Sequence, residues 1–551
     1  MKKNTLYAIV GIVIALIVVG AVVAIYLIPP PARPSVLVVG TTEREETLDP
    51  ADAYNYMSVN LLQNTMATLL TYSQTGDGSL EPMLLTEVPT VANGGISSDG
   101  LTYTLRLRSG ATFEDGTAIT TTTVKYSIDR SVKAKFDPVA QEDRLPVPSF
   151  LLDAIDGANA YFTTYTAFTL GTATQAQVDS AWTNYTQRGV EVVDASTVRI
   201  HMGRVWSPMA LMLAFTSVAP VNPNVFTVGA FKPQATDISA SGPYKVDTFV
   251  PDERGELVRN TAFFGTPAVM ERVVIRFYSD APALALAMRS WEIDIAYRNL
   301  NPEDFNEFSA DAAFRADAGS SAVIRYIVFN NQTAKFSDVR VRRALAYAID
   351  RDSIVETAFL NSTAPLYSLI PEGMFGHVPV FDQRYQRNLA TAQALLTDAG
   401  YDSGSNKLSF TLWYTPSRYG TTEADVAQLI KIAWEATGMV SVTLNSQEWE
   451  TYRVSFRTGT FEIFLLGWFP DYLDPDNYVT PFLHYSSGGT ASFGSWYQND
   501  TLDDLIELQA TQGIQSTARA QTLADIQDAL ADDVPYLPLW QTTQQVVYRP
   551  A

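Results

Sequence analysis

The chain contains no cysteine, which excludes disulfides, thiolate catalysis, Cys-based zinc sites, iron–sulfur clusters and a lipid-modified amino-terminal cysteine. Histidine is nearly as scarce. His201, His377 and His484 are the only three in 551 residues, too scattered for the convergent His and carboxylate sets that metal sites draw on. No run of Lys and Arg relieves a formal net charge of −21, so no nucleic-acid partner is expected, because phosphate binding needs clustered cations. Also missing are a Gly-x-Ser-x-Gly elbow, a His-Glu-x-x-His pair, a P-loop and a histidine set near a serine, so hydrolase chemistry has no visible foothold. The expectation is a protein that is not an enzyme and carries no cofactor or metal.

Apolar and aromatic residues are plentiful. The composition is 46% hydrophobic and 18% charged, with 27 Tyr, 27 Phe and 9 Trp, enough to offset chain entropy by burial. A chain of 551 residues exceeds what one core supports, so two or more substructures are expected. Lys2 and Lys3 precede an uncharged stretch, residues 5–28, long enough as a helix to cross a hydrocarbon core of about 30 Å. With no clear cleavage signal, this reads as a single-pass anchor with the lysines inside and the body outside the cell membrane. Cleavage near Ala24 is the alternative, and residues 29–34 form a Pro-rich spacer.

Periodicity then gives alternating strands and helices. Residues 36–40 read as a buried strand, and residues 60–70 as a helix carrying Leu61, Leu62, Met66, Leu69 and Leu70. Strict alternation over 102–108 puts Tyr103, Leu105 and Leu107 on one face of a strand, between the turn signals Asp99-Gly100 and Asp115-Gly116. Thr120 can cap a helix whose core face is Val124, Ile128 and Val132. Residues 158–187 show no clear period and stay unassigned. Further strands are expected over 196–202 and 241–246. Ser337 is read as the cap of a helix with Val341, Leu345, Ala348 and Ile349 on one stripe, and Arg340, Arg342 and Arg343 on a solvated face. A strand over 408–414, a helix over 424–437 and strands over 440–444 and 461–466 complete a mixed α/β pattern.

Seven segments taken together are specific. They are Leu48-Asp49-Pro50; residues 98–108 running into 113–117; Val124-Lys125-Tyr126-Ser127; Ser241-Gly242-Pro243-Tyr244; Glu292-Ile293-Asp294-Ile295-Ala296; residues 336–351; and Gly467-Trp468-Phe469-Pro470-Asp471-Tyr472-Leu473-Asp474-Pro475-Asp476-Asn477. In content and order they resemble the family 5 extracytoplasmic solute-binding proteins that serve oligopeptide, dipeptide and nickel importers of the ATP-binding-cassette type. The resemblance implies an α/β, two-lobe periplasmic-binding-protein-like fold of the large two-hinge type. The expected division is anchor and spacer 1–34, first lobe 35–75, inserted subdomain 76–202, first lobe again 203–283, second lobe 284–512, and a return to the first lobe over 513–551. It further implies a monomer that encloses ligand by lobe closure and hands it to permease subunits driven by a separate ATPase. Two departures stand out. Thr121-Thr122-Thr123 replaces the acidic residues that often open the corresponding helix, and the missing lipid-anchor cysteine fits an archaeal-style anchored form.

In peptide-binding relatives, the aspartate matching Asp471 pairs with the peptide's α-ammonium group, the partner that a desolvated cation requires. Alternatively, Asp471 only closes a turn beside Pro470. Calcium binding by Asp471, Asp474 and Asp476 fails the EF-hand pattern, which needs a central glycine and a closing glutamate. Trp413, Tyr414, Trp449, Tyr452, Trp468 and Trp496 gather in the expected second lobe, where each could be either core or cleft wall. Cleft aromatics could also stack on sugars, so oligosaccharide is the alternative ligand. Gly242 and Asn330, in motifs that border the cleft in relatives, are further candidates unless they serve only turns. An extended peptide would gain strand-like backbone hydrogen bonds independent of its side chains.

Overall fold

The computed structural model describes residues 35–550 except 46, 77, 135–151, 233–237 and 417. The predicted anchor and spacer, residues 1–34, lie outside the described residues. Among the described residues, no helix is long and apolar enough to cross a membrane.

A mixed sheet organises the molecule. Its second-lobe end has Leu408–Tyr414 between Val440–Ser446 and Ile463–Trp468, parallel to both. At the first-lobe end, Val36–Thr41 lies parallel to Arg272–Phe277 and Ile295–Tyr297, and an antiparallel meander continues through Arg254–Arg259 to Tyr244–Val250. Helices cover these β-branched strands, as parallel sheets require.

Two long antiparallel strands, Arg315–Phe329 and Tyr536–Tyr548, belong to both ends of the sheet. The first pairs with Ile463–Trp468 through its residues 324–329, while the second reaches Ile295–Tyr297 through Val546, Val547 and Tyr548. Their mutual register breaks between Ser320 and Ile324 and again between Arg325 and Tyr326. Unpaired residues in a ladder bend it, and here the bend is where the chain twice crosses between lobes.

The crossings fall later than the sequence division placed them. Helix Pro302–Ala310, beyond residue 284, packs Phe305 and Phe308 against Leu284, Met288 and Val547 in the first lobe. Helix Thr517–Asp533, beyond residue 513, buries Leu523, Ile526 and Leu530 in the second-lobe core. Each long strand takes part in both cores, and Arg315–Phe329 passes along its length from the largely exposed residues 315–320 to the buried, mostly apolar residues 323–329. The inserted subdomain has its own three-stranded sheet of Thr102–Arg106, Thr197–His201 and Val190–Val192, and its core runs on to Val218.

Several local expectations shift. Residues 158–187 form two helices, Ala158–Thr169 and Gln175–Arg188, the second opened by a Thr174/Gln177 capping box. The helix expected over 60–70 is Tyr56–Thr65, with strand Leu70–Tyr72 following it. Thr120 does cap its helix, accepting from the Thr123 N–H at 3.2 Å, and Val124, Ile128 and Val132 are fully buried behind it. Helix Val339–Ala348 is capped by Asp338, which accepts from the Arg340 N–H, whereas the Ser337 hydroxyl donates to the Ala334 carbonyl. Arg342 is buried rather than solvated. Its guanidinium donates to the carbonyls of Phe336, Ser337, Asp533 and Val534. The latter two terminate helix Thr517–Asp533, whose last carbonyls lack intrahelical partners.

Candidate ligand cleft

Strand Ile463–Trp468 delivers the chain to the boundary between the lobes, where Pro470 ends the ladder and Asp471 turns inward. Asn477, in the first turn of helix Asp476–Leu483, fixes this corner. Its Oδ1 accepts from Trp468 Nε1 and from the Asp471 N–H, each at 2.9 Å, and its amide donates to Asp471 Oδ2 at 3.2 Å. Asp474 forms a buried two-pronged ion pair with Arg519, with one contact at 2.8 Å. Asp476 accepts from Tyr472 Oη at 2.7 Å, Thr480 Oγ1 at 2.7 Å and Trp206 Nε1 at 3.1 Å. The three aspartates therefore serve three separate purposes. Among the described residues, no cluster of His, Asp or Glu is arranged to hold a metal ion.

Between the lobes lies a cavity of about 710 Å³, within the range of small-ligand sites. The first lobe contributes Tyr54, Tyr56, Asn60 and Phe215, and the second contributes Trp449, Trp468, Phe469, Asp471 and the arginines Arg418, Arg453 and Arg457. Contacts also bridge the two lobes. Besides Trp206 to Asp476, the Ser207 N–H donates to the Ala510 carbonyl at 2.8 Å and the Leu473 N–H to Tyr72 Oη at 3.3 Å. On another side Thr421 Oγ1 donates to Asn301 Oδ1 at 2.7 Å.

Asp471 carries the electrostatic tension of this cavity. It is half-buried and lines the cavity. Burial pushes its carboxyl up to about 6, against hydrogen bonds from Tyr54 and Asn477 that pull it down. Among the described residues, no Lys, Arg or His forms an ion pair with it. Tyr54 comes from the first lobe, and burial, followed by the nearby Asp471 charge, holds its phenol well above the ordinary value. Asp471, with two neutral donors, one from each lobe, thus faces a cavity whose wall also carries Arg418, Arg453 and Arg457 and the carboxylates Glu43, Asp52 and Glu450, the last of them paired with Arg453 at 2.9 Å.

Of the residues singled out in the sequence, Asp471, Trp468 and Trp449 come together on the cavity. The others do not line it. Tyr452 is fully buried, with its hydroxyl donating to the Leu465 carbonyl at 2.6 Å. Trp413 stacks on Phe461 with centroids 4.5 Å apart, and Tyr414 lies half-buried opposite Ser446. Both belong to a strand whose faces pack on helices. A Cβ on Gly242 would stand 2.7 Å from the Thr65 carbonyl carbon, so the glycine permits a close backbone crossing. Asn330 ties a turn, donating to the Phe461 carbonyl at 3.2 Å and accepting from the Gln332 N–H at 3.0 Å. Sequence reasoning missed Tyr54, Arg418, Tyr419, Phe469, Arg453 and Arg457. Phe469 adjoins Trp468, and Tyr54 follows Leu48-Asp49-Pro50 closely, but the arginines sit in segments without a motif.

Comparison with known proteins places this architecture. The family model described as bacterial extracellular solute-binding proteins, family 5 Middle, matches residues 80–490. The periplasmic oligopeptide-binding protein OppA of Salmonella typhimurium is 27% identical over 482 residues, covering 85% of this chain and 83% of OppA. The periplasmic murein peptide-binding protein MppA of Escherichia coli is 26% identical over 510 residues, covering 92% and 87%. Among solved structures, the periplasmic binding protein DppA of Helicobacter pylori in complex with the peptide STSA superposes with a TM-score of 0.73 at 21% identity, covering 93% of this chain and 94% of that one.

Proposed function

The chain belongs to family 5 of the bacterial extracellular solute-binding proteins and is a binding protein rather than an enzyme; from that premise we propose that it captures short peptides with a free amino terminus and delivers them to an ATP-binding-cassette permease. The observation that carries this reading is Asp471, a carboxylate on the cavity between the lobes whose side-chain hydrogen bonds, among the described residues, come from Tyr54 and Asn477. A desolvated carboxylate is unfavourable until a cation meets it. A peptide α-ammonium group supplies that cation through charge-assisted hydrogen bonds. Arg418, Arg453 and Arg457 on the cavity wall suit the ligand's carboxylate. The names of the relatives, oligopeptide-binding and murein peptide-binding, agree with this ligand class.

Residues 1–34 act in this proposal as the single-pass anchor that keeps a monomeric binding body outside the membrane, in the archaeal manner. Trp449, Trp468 and Phe469 on the cavity wall favour a second reading, since aromatic faces also stack on sugars. Native mass spectrometry separates the two after the protein is mixed with a tripeptide pool, the same pool N-acetylated, and an oligosaccharide pool. Retention of free-amino peptides alone, abolished by Asp471→Ala, is expected. Retention of sugars regardless of Asp471, or equal retention of acetylated peptides, refutes the peptide reading.

A further inference from the structure

The cavity wall made by Tyr419, Trp449 and Phe469 rests on a charged pair that does not line the cavity. Arg325 lies in the long strand Arg315–Phe329, paired opposite Trp540 of the other crossing strand and flanked by both register breaks. It is 2% exposed. Its guanidinium forms an ion pair with Glu423, the first residue of helix Glu423–Glu435. It also lies 3.6 Å from the Tyr419 ring centroid and 5.4 Å from that of Trp540.

Arg325 Nε and Nη1 and Glu423 Oε1 have no hydrogen-bond partner among the described residues. One carboxylate oxygen and two π faces therefore hold the cation, in place of a saturated polar shell. The room comes from the neighbouring strand, where Arg325 pairs with Gly467. Any Cβ at Gly467 would collide with Nη1 and stand 2.9 Å from Tyr419 Cε1. Tyr419 donates its hydroxyl to the Gly467 carbonyl at 3.2 Å. Its ring lies within 9° of parallel to Phe469 and edge-on to Trp449 at 5.9 Å.

We infer that Arg325 is a positioning residue that sets the Tyr419 ring, and with it the Tyr419–Phe469–Trp449 wall that favours bulky apolar side chains in a bound peptide. Because Arg325 sits where both crossing strands bend, it fixes that wall to the hinge rather than to the second lobe alone. A buried ion pair can often be exchanged for apolar residues without loss of stability, so the geometry of the stack, not the stability of the pair, is the reason for a guanidinium here. Lysine cannot replace it, since an ammonium lacks the planar face.

The selectivity clause rests on the peptide reading of the cleft; the positioning clause does not, and the test separates them. Arg325→Lys keeps the charge without the plane, and the double variant Arg325→Met with Glu423→Leu removes the pair while keeping the site filled. Amide hydrogen exchange of the ligand-free protein over residues 418–423 should quicken about tenfold in both, the loss of one desolvated cation–π contact, with the melting temperature of the double variant near that of the wild type. The preference of the wild type for Ala-Phe-Ala over Ala-Ala-Ala by titration calorimetry should shrink about tenfold in both. Wild-type exchange in the two folded variants overturns the positioning role, whether or not any peptide binds. Quickened exchange with an unchanged preference overturns the selectivity clause, and failure of the wild type to bind either peptide overturns both that clause and the peptide reading.

Discussion

Replacing Asp471 by asparagine should act in opposite directions on the empty and the loaded protein. In the empty protein, burial raises the carboxyl from 3.8 to about 6. The folded state therefore holds its proton more tightly than the unfolded chain. Well below pH 3.8 both states are protonated and the group is neutral to stability. Between 4 and 6 the unfolded chain ionises first, so stability falls as pH rises, and above about 6 the whole penalty is in place. At about 1.4 kcal/mol per unit it amounts to about 3 kcal/mol. The amide introduced by Asp471→Asn would carry no charge, so the ligand-free variant should melt higher than the wild type at pH 7.5, with most of that difference gone at pH 4.

Ligand reverses the order. An α-ammonium group needs the carboxylate, and losing one partner of an enclosed charge pair costs about 2–5 kcal/mol, roughly 30-fold to several thousandfold in affinity. For the wild type, affinity should rise with pH up to about 6, hold, and fall near 8 as the peptide's amino group loses its proton. Differential scanning calorimetry with and without a bound tripeptide, at pH 4, 6 and 7.5, reads both effects. A ligand-free variant that melts no higher than the wild type at pH 7.5, together with undiminished tripeptide affinity, refutes the account of Asp471.

Two further substitutions address closure and the glycine that sequence reasoning had assigned to the cleft. Trp206→Phe keeps the edge-to-face packing on Tyr472, 5.8 Å between centroids, but removes the hydrogen bond from the first lobe to the Asp476 carboxylate. Peptide affinity should drop roughly tenfold or more, the worth of a hydrogen bond to a charged group, with small-angle scattering showing a more open ligand-free protein; unchanged affinity and shape would dismiss Trp206 as a latch. Gly242→Ala forces a methyl to within 2.7 Å of the Thr65 backbone. It should lower the denaturation midpoint by an amount equivalent to about 1–3 kcal/mol while leaving peptide affinity intact, and a selective loss of affinity would return Gly242 to the ligand site.

The sequence was most legible where a residue's environment is set by its neighbours along the chain. Val124, Ile128 and Val132 share a helical stripe and are all fully buried, and Tyr103 and Leu105 alternate inward along Thr102–Arg106. Asp471 and Trp468 were legible for a related reason, since one local motif supplies both them and Asn477, the side chain that orients them. What stayed hidden depends on partners far away in sequence. Tyr452 and Trp449 lie three residues apart in helix Trp449–Arg457, yet one donates into the core and the other lines the cavity. Only the placement of strand Ile463–Trp468 against that helix decides which. Arg342 reads as a surface charge until helix Thr517–Asp533 arrives with carbonyls to satisfy. Tyr54 and Asp471 are brought together only when the lobes meet. The cavity is therefore least legible where Tyr54 and Asp471 face each other, because each of the two comes from a different lobe.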